Sequence, residues 1–218
     1  MKKIVLLHTV KSVYLSFESQ LREAFEGMPI QWINFVDEYL AIEPNTTGSF
    51  SETNQKRLES DLYSCALTGA DLIVVTCSTL SPRLDKSRQE CGCPIIAIDE
   101  RMVEKAVSMG NKITLLATQH SPVEPVCQSM QRIANGLGKK LEITTIVRTD
   151  AMDALKAGNS KRHDEILMEM SRQAPPSDVV VLAQASMAHM EEKLQEACNM
   201  PVLSSPKLCI EQIAEYLV

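Results

Sequence analysis

The chain has 218 residues, 44% of them hydrophobic and 23% charged, a balance that suits one large α/β domain or two small ones and excludes a disordered chain. Its net charge is −6 and its cations lie scattered among carboxylates without a basic stripe, so nucleic acid is not an expected partner. No apolar run approaches the roughly 20 residues that cross a bilayer, and the seven Cys, an odd number spread over strand-like and helix-like contexts, fit reduced thiols in a cytoplasm.

The first element is an expected strand over residues 3–8. Met1-Lys2-Lys3-Ile4-Val5-Leu6-Leu7 begins like a signal peptide, but the apolar stretch stops at His8 and no small-residue cleavage site follows. Further strands are expected at 31–36, 71–76, 94–98, 112–117, 141–147 and 178–182, all rich in Val, Ile and Leu. Several are apolar at consecutive positions, the mark of strands covered on both faces in parallel sheets. Helical spacing lies between them. Phe17, Leu21 and Phe25 share one face, as do Leu58, Leu62 and Cys65, then Val126, Met130, Ile133 and Leu137, and finally Ile210, Ile213 and Leu217 in a helix over 206–217. The alternation predicts an α/β fold. Ser81-Pro82, Ser121-Pro122 and Ser205-Pro206 each read as a capping hydroxyl before a helix-opening proline. Ligands of open α/β sheets bind at the carboxyl ends of strands, so the site is expected there.

The two halves match. Ala70-Asp71-Leu72-Ile73-Val74-Val75-Thr76-Cys77-Ser78-Thr79 aligns with Ser177-Asp178-Val179-Val180-Val181-Leu182-Ala183-Gln184-Ala185-Ser186 at an offset of 107 residues, which also carries Cys91-Gly92-Cys93-Pro94 onto Cys198-Asn199-Met200-Pro201. Nearer the start of each half the offset is 109, from Lys3-Ile4-Val5-Leu6-Leu7-His8-Thr9 to Lys112-Ile113-Thr114-Leu115-Leu116-Ala117-Thr118. Duplication explains the shared Asp, the Cys–Pro spacing and the common offset better than generic α/β patterning. It predicts two pseudo-symmetric domains, each a mostly parallel sheet flanked by helices, with the site in the interdomain cleft. Residues 1–98 plus 206–218 are expected to form the first domain and 99–205 the second.

Cys77 is the candidate for chemistry. It lies just past a strand and before a helix start, where N–H groups and the positive helix end would lower a thiol's pKa. The alternative for a free Cys is plain core packing. Ser78 and Thr79 add hydroxyl donors suited to a carboxylate. His8 ends the first strand, and His189 follows Gln184 by five residues; each is a candidate catalytic acid or a capping or surface residue, as are His120 and His163. Asp37-Glu38 could be substrate contacts or loop charges, and Asp99-Glu100 reads as a helix beginning, with a role in the site as the alternative. Cys91-Gly92-Cys93 lacks a partner pair, so no metal is expected there. Gly136, Gly138 and Gly158 read as helix stops, and no Gly-x-Gly-x-x-Gly supports a nucleotide cofactor.

Val74-Val75-Thr76-Cys77-Ser78-Thr79 resembles the first cysteine motif of the aspartate/glutamate/hydantoin racemase superfamily. Leu115-Leu116-Ala117-Thr118 with Ser121 resembles its carboxylate-binding loop. Val181-Leu182-Ala183-Gln184-Ala185-Ser186-Met187-Ala188 resembles its second motif, where the family usually carries a cysteine. Val36-Asp37-Glu38, Ile98-Asp99-Glu100 and His163-Asp164 are similar to an uncharacterised branch with Gln in that place. The resemblance implies cofactor-independent chemistry on a small carboxylate, a homo-oligomer, and substrate contacts at His8, Ser78, Thr79, Thr118, Ser121, Gln184, Ala185 and Ser186, with His189 and Asp37 as secondary candidates. In the family's racemases two cysteines exchange the α-proton on opposite faces. A carboxamide at 184 cannot. The reading that leads is an isomerase or lyase using Cys77 as acid/base or nucleophile; an amino-acid or hydantoin racemase and a non-catalytic carboxylate-binding protein are the rivals.

Overall fold

A computed structural model describes residues 1–217, with every side chain among them except that of Ser12. The chain divides into two compact units: Met1–Glu100 joined by the chain from Pro206 onward, and Arg101–Ser205. The first holds strands β1 (Lys2–His8), β2 (Ile30–Val36), β3 (Leu72–Val75) and β4 (Ile95–Ala97), with helices α1 (Lys11–Ala24), α2 (Tyr39–Thr47), α3 (Glu52–Leu67) and α4 (Asp85–Glu90). Its sheet is parallel throughout, in the order β2-β1-β3-β4. Helix α5 (Glu100–Met109) leads into the second unit. There β5 (Lys112–Ala117), β6 (Glu142–Val147), β7 (Val179–Leu182) and β8 (Val202–Leu203) form a parallel sheet ordered β6-β5-β7-β8. Helices α6 (Val123–Gly136), α7 (Thr149–Lys156), α8 (Ser160–Gln173) and α9 (Glu191–Cys198) accompany it, and α10 (Ser205–Leu217) ends the described chain.

Composition explains the strands. β3 and β7 are Leu-Ile-Val-Val and Val-Val-Val-Leu, buried at every position, as parallel strands covered on both faces must be. The edge strands β2 and β6 show mixed burial. Each sheet repeats the other in register: Ile4 pairs with Leu72 as Ile113 pairs with Val179, and Leu7 with Val75 as Leu116 with Leu182. The aspartate before β3 and β7 has the same duty in both units. Asp71 accepts the Lys3 N–H at 2.8 Å, and Asp178 accepts the N–H groups of Asn111 and Lys112 at 2.7 and 2.8 Å. These carboxylates close the open end of the neighbouring strand, which is why the repeat keeps them.

Helix faces follow the periodicity with two corrections. Phe17, Leu21 and Phe25 are buried, as are Leu58, Leu62 and Cys65. In α6, however, Ala134 is buried beside Val126 and Met130, whereas Leu137 is 61% exposed because the helix ends at Gly136. In α10 the inward residues are Leu208, Cys209 and Ile213, not Ile210. The expected serine caps also fail. Ser81 lies inside a single 3-10 turn, Ser81–Arg83, that has no side-chain cap, and its hydroxyl makes a charge-assisted donation to the Asp99 carboxylate where a cap would accept a backbone N–H. Helix α6 starts after Pro122 with no side-chain cap, and α10 starts at Ser205 itself, whose buried hydroxyl has no partner among the described residues. Among those residues no helix is long and apolar enough to cross a membrane.

Candidate active site

Each sheet reverses its winding between its two central strands. From β1 the chain passes to β2 on one side and later to β3 on the other, and β5 stands in the same relation to β6 and β7. At such a switch point the connections leave in opposite directions and open a crevice beyond the carboxyl ends of the strands. In the first unit those ends carry His8 and Thr9 after β1, and Thr76 and Cys77 after β3. In the second they carry Thr118 and Gln184.

Cys77 is partly exposed and rests against the core beneath β3. Burial is the largest influence on its thiol and pushes its pKa up. The Thr9 hydroxyl and the Thr79 N–H and hydroxyl face the sulfur and pull the other way, while the charge of Asp99 adds to the rise. The net direction is upward, opposite to the expectation from a helix end. The reason is local: only a 3-10 turn and the six-residue α4 follow the cysteine, and a buried carboxylate lies nearby. Thr9, Thr76, Ser78 and Thr79 are all buried.

His8 is fully buried, and both ring nitrogens are occupied. Nε2 lies 3.0 Å from Asn34 Oδ1 and Nδ1 lies 2.8 Å from Thr76 Oγ1, with Tyr14 against the ring. A neutral ring donates from Nε2 to the Asn34 carbonyl and accepts at Nδ1 from the Thr76 hydroxyl, whose one hydrogen is then shared with the Leu7 carbonyl at 3.1 Å. Burial lowers its pKa, which favours that form. The imidazole therefore braces the ends of β1, β2 and β3 and has no free nitrogen for a ligand. Asp37 is likewise committed, as its carboxylate pairs with the Arg57 guanidinium and accepts the Tyr39 N–H at 3.0 Å.

One residue rises in importance that the pattern of the chain marks first as a helix beginning and only second as a site residue. Asp99, just after β4, is 1% exposed and accepts the Ser81 hydroxyl, while its Oδ2 has no hydrogen-bond partner among the described residues. Burial pushes its pKa to about 6, against the pull of Ser81 and Ser78. Its charge also bears on Cys209 in α10. The available signal was an Asp at the end of an apolar strand, but helix-start chemistry explains that equally well.

In the second unit Gln184 takes the place of Cys77, and its carboxamide is firmly held. Its Oε1 accepts the Thr118 N–H at 2.7 Å and the Thr118 hydroxyl at 3.0 Å, and its Nε2 donates to Gln119 Oε1 at 3.1 Å. One Nε2 hydrogen remains. Thr118 thus addresses position 184 as Thr9 addresses position 77, so the repeat extends to the strand-end contacts. Ser121, Ala185 and Ser186 are partly exposed around this strand end, and His120 is exposed. His189 turns to a different set of partners, Asp164 and His163.

The arrangement has counterparts. A sequence model of the Asp/Glu/hydantoin racemase family matches residues 7–213. An uncharacterised protein of Schizosaccharomyces pombe is 22% identical over 158 residues, covering 70% of this chain and 66% of its own, so the match spans just under two thirds of that relative's length. Glutamate racemase from Thermus thermophilus, crystallised with β-chloro-D-alanine, superposes with a TM-score of 0.71 at 16% identity over 99% of this chain and 80% of its own. Arylmalonate decarboxylase in its unliganded form superposes with a TM-score of 0.58 at 11% identity, over 99% and 93% respectively. At such identities these two structures speak for the fold. The sequence match carries more, because it runs from the end of β1 into α10 and takes in both strand-end motifs: the chain belongs to the Asp/Glu/hydantoin racemase family.

Proposed function

We propose that the chain is a cofactor-independent isomerase or lyase acting on a small carboxylate or dicarboxylate, with Cys77 delivering a proton to one face of the reacting carbon. The observation that carries this reading is the asymmetry of the repeat. One strand end presents a thiol with three hydrogen-bond donors facing it, and the equivalent strand end presents a carboxamide locked to Thr118. A carboxamide neither takes nor gives a proton near neutral pH, so a two-acid exchange of the α-proton lacks its second member.

A raised thiol pKa suits an acid. At neutral pH Cys77 is protonated, and the S–H can be passed to an enediolate carbon. The thiolate left behind is stabilised by the Thr9 and Thr79 donors and regains its proton from water. In a decarboxylation the C–C bond to the leaving carboxylate breaks, carbon dioxide departs, and the electron pair becomes the enediolate that Cys77 protonates. Ser78 and Thr79 at the Cys77 strand end, and Thr118, Ser121, Ala185 and Ser186 at the Gln184 strand end, are each proposed as carboxylate-binding positions of their own unit. The remaining Nε2 hydrogen of Gln184 is suited to a carboxylate or enediolate oxygen. The likeness to arylmalonate decarboxylase makes arylmalonates a rational first substrate class, beside glutamate and aspartate as racemase substrates.

The test is turnover of such a panel in D2O by the wild type and by Cys77→Ala, with thermal stability followed in parallel. Loss of a positioned acid is expected to lower kcat by about 10²–10⁴-fold while the fold persists, and a single labelled enantiomer is expected from the wild type. Undiminished turnover in Cys77→Ala would reject the role of the thiol. Deuterium entering both enantiomers of an amino acid would favour a racemase. Ligand stabilisation without product at any enzyme concentration would favour a binding protein.

A further inference from the structure

The second unit carries a cluster that the chemistry at Cys77 does not use. His163 and Asp164 are consecutive residues of α8, and His189 lies in the 3-10 segment Ala185–Met190 that follows β7. Asp164 Oδ1 lies 2.9 Å from His163 Nδ1 and 2.8 Å from His189 Nε2, so two imidazoles converge on one carboxylate oxygen. The rings stack with centroids 5.8 Å apart. Nothing in the sequence marks this meeting, because 25 residues separate Asp164 from His189.

We propose that His163, Asp164 and His189 form a binding site for a divalent transition-metal ion, with zinc the best-matched class, that clamps α8 to the segment beginning at Ala185. The donor set is two imidazole nitrogens and one carboxylate oxygen, the composition that zinc, copper and nickel prefer over calcium or magnesium. One ligand atom from each residue lies within 4.8 Å of the others. Bonds of about 2.0–2.1 Å in tetrahedral geometry place neighbouring ligand atoms roughly 3.3 Å apart, so the two imidazole–carboxylate distances need to open by only a few tenths of an ångström, while the two ring nitrogens already lie within 4.8 Å of each other.

The site is also prepared and reachable. His163 is fully buried, so its ring has no rotamer freedom to lose, while the His189 and Asp164 side chains are 51% and 31% exposed and admit an ion from solvent. The ring hydrogens now shared with Asp164 move on binding to the opposite ring nitrogens. His163 Nε2 is buried without a partner among the described residues. It is an orphan acceptor before the ion binds and an orphan N–H afterwards, so that penalty largely cancels. Three protein ligands leave a fourth position for water. Occupancy would tie down the segment that directly follows Gln184, whether or not the proposed reaction is found.

Seven thiols make zinc uptake alone uninformative, so the probe is Co²⁺ titrated into the whole reduced protein and followed by visible absorption. The expected result is one equivalent bound with tetrahedral d–d bands, without sulfur-to-metal charge transfer, displaced by Zn²⁺. His189→Ala removes an exposed ligand without disturbing the core. It is expected to weaken binding by at least about 100-fold, since losses even one shell further out cost 10–100-fold. Absence of a stoichiometric site, a sulfur charge-transfer band, or undiminished binding in His189→Ala would each overturn the proposal.

Discussion

Replacing Gln184 by Met, unbranched and of similar length, removes the acceptor for two donors of Thr118 and tests whether the second strand end is as rigid as its contacts imply. Thr118 is fully buried, and its N–H would be left facing a thioether. Its hydroxyl can rotate to another acceptor, so the backbone donor dominates the cost. An unsatisfied buried donor costs about 1–3 kcal/mol. For a chain of this size each kcal/mol shifts the unfolding temperature by roughly 2–4 °C, so a fall of about 2–12 °C is expected by differential scanning calorimetry. A double-mutant cycle with Thr118→Val isolates the side-chain part. Residues in direct contact couple by about 0.5–3 kcal/mol, and the double variant should be less destabilised than the sum of the singles. Additive effects, or an unchanged midpoint in Gln184→Met, would refute the view that Gln184 is a fixed acceptor for Thr118 rather than a mobile side chain.

The neighbourhood of Cys77 gives two predictions of opposite sign, read as the rate of iodoacetamide alkylation at that residue by mass spectrometry. Asp99→Asn removes a negative charge and should raise the rate at neutral pH, whereas Thr9→Val removes a donor to the sulfur and should lower it; movement in the same direction would contradict the assigned contacts. The Asp99 carboxyl, pushed to about 6 by burial, binds its proton more tightly folded than unfolded. Its contribution to stability is therefore fully present below about pH 4 and lost as pH rises through 6, by up to about 3 kcal/mol. Asp99→Asn should accordingly gain stability over the wild type in urea unfolding at pH 8 and show little gain at pH 4. Gly110→Ala should destabilise by a different route. A Cβ there would overlap the Asp178 side chain, so the carboxylate must leave the Asn111 and Lys112 N–H groups; an unfolding midpoint equal to wild type would show that Asp178 is not needed to close the strand end.

Local pattern was enough for much of this protein. Consecutive Val, Ile and Leu in β3 and β7 can be accommodated only where both faces of a strand are covered, so the parallel sheets were legible before any coordinates. The matched Asp71 and Asp178 marked the duplication, and each ties down the start of a neighbouring strand. Strand–helix alternation gave the α/β class, whereas the strand order that puts Cys77 and Gln184 at switch points came only with the folded sheets. Features that depend on what approaches from elsewhere in the chain were hidden. Ser81 turned from a cap into a donor because Asp99 arrives from beyond β4, and the same carboxylate helps to reverse the expected shift of the Cys77 thiol. His8 looked like a ligand at a strand end until Asn34 and Thr76 closed on both its nitrogens. His163, Asp164 and His189 converge only because α8 packs beside the segment after β7. Periodicity records which side of an element is dry. Hydrogen bonds and charges act over a few ångströms in space, and their partners here lie tens of residues apart along the chain, so only the tertiary structure could decide them.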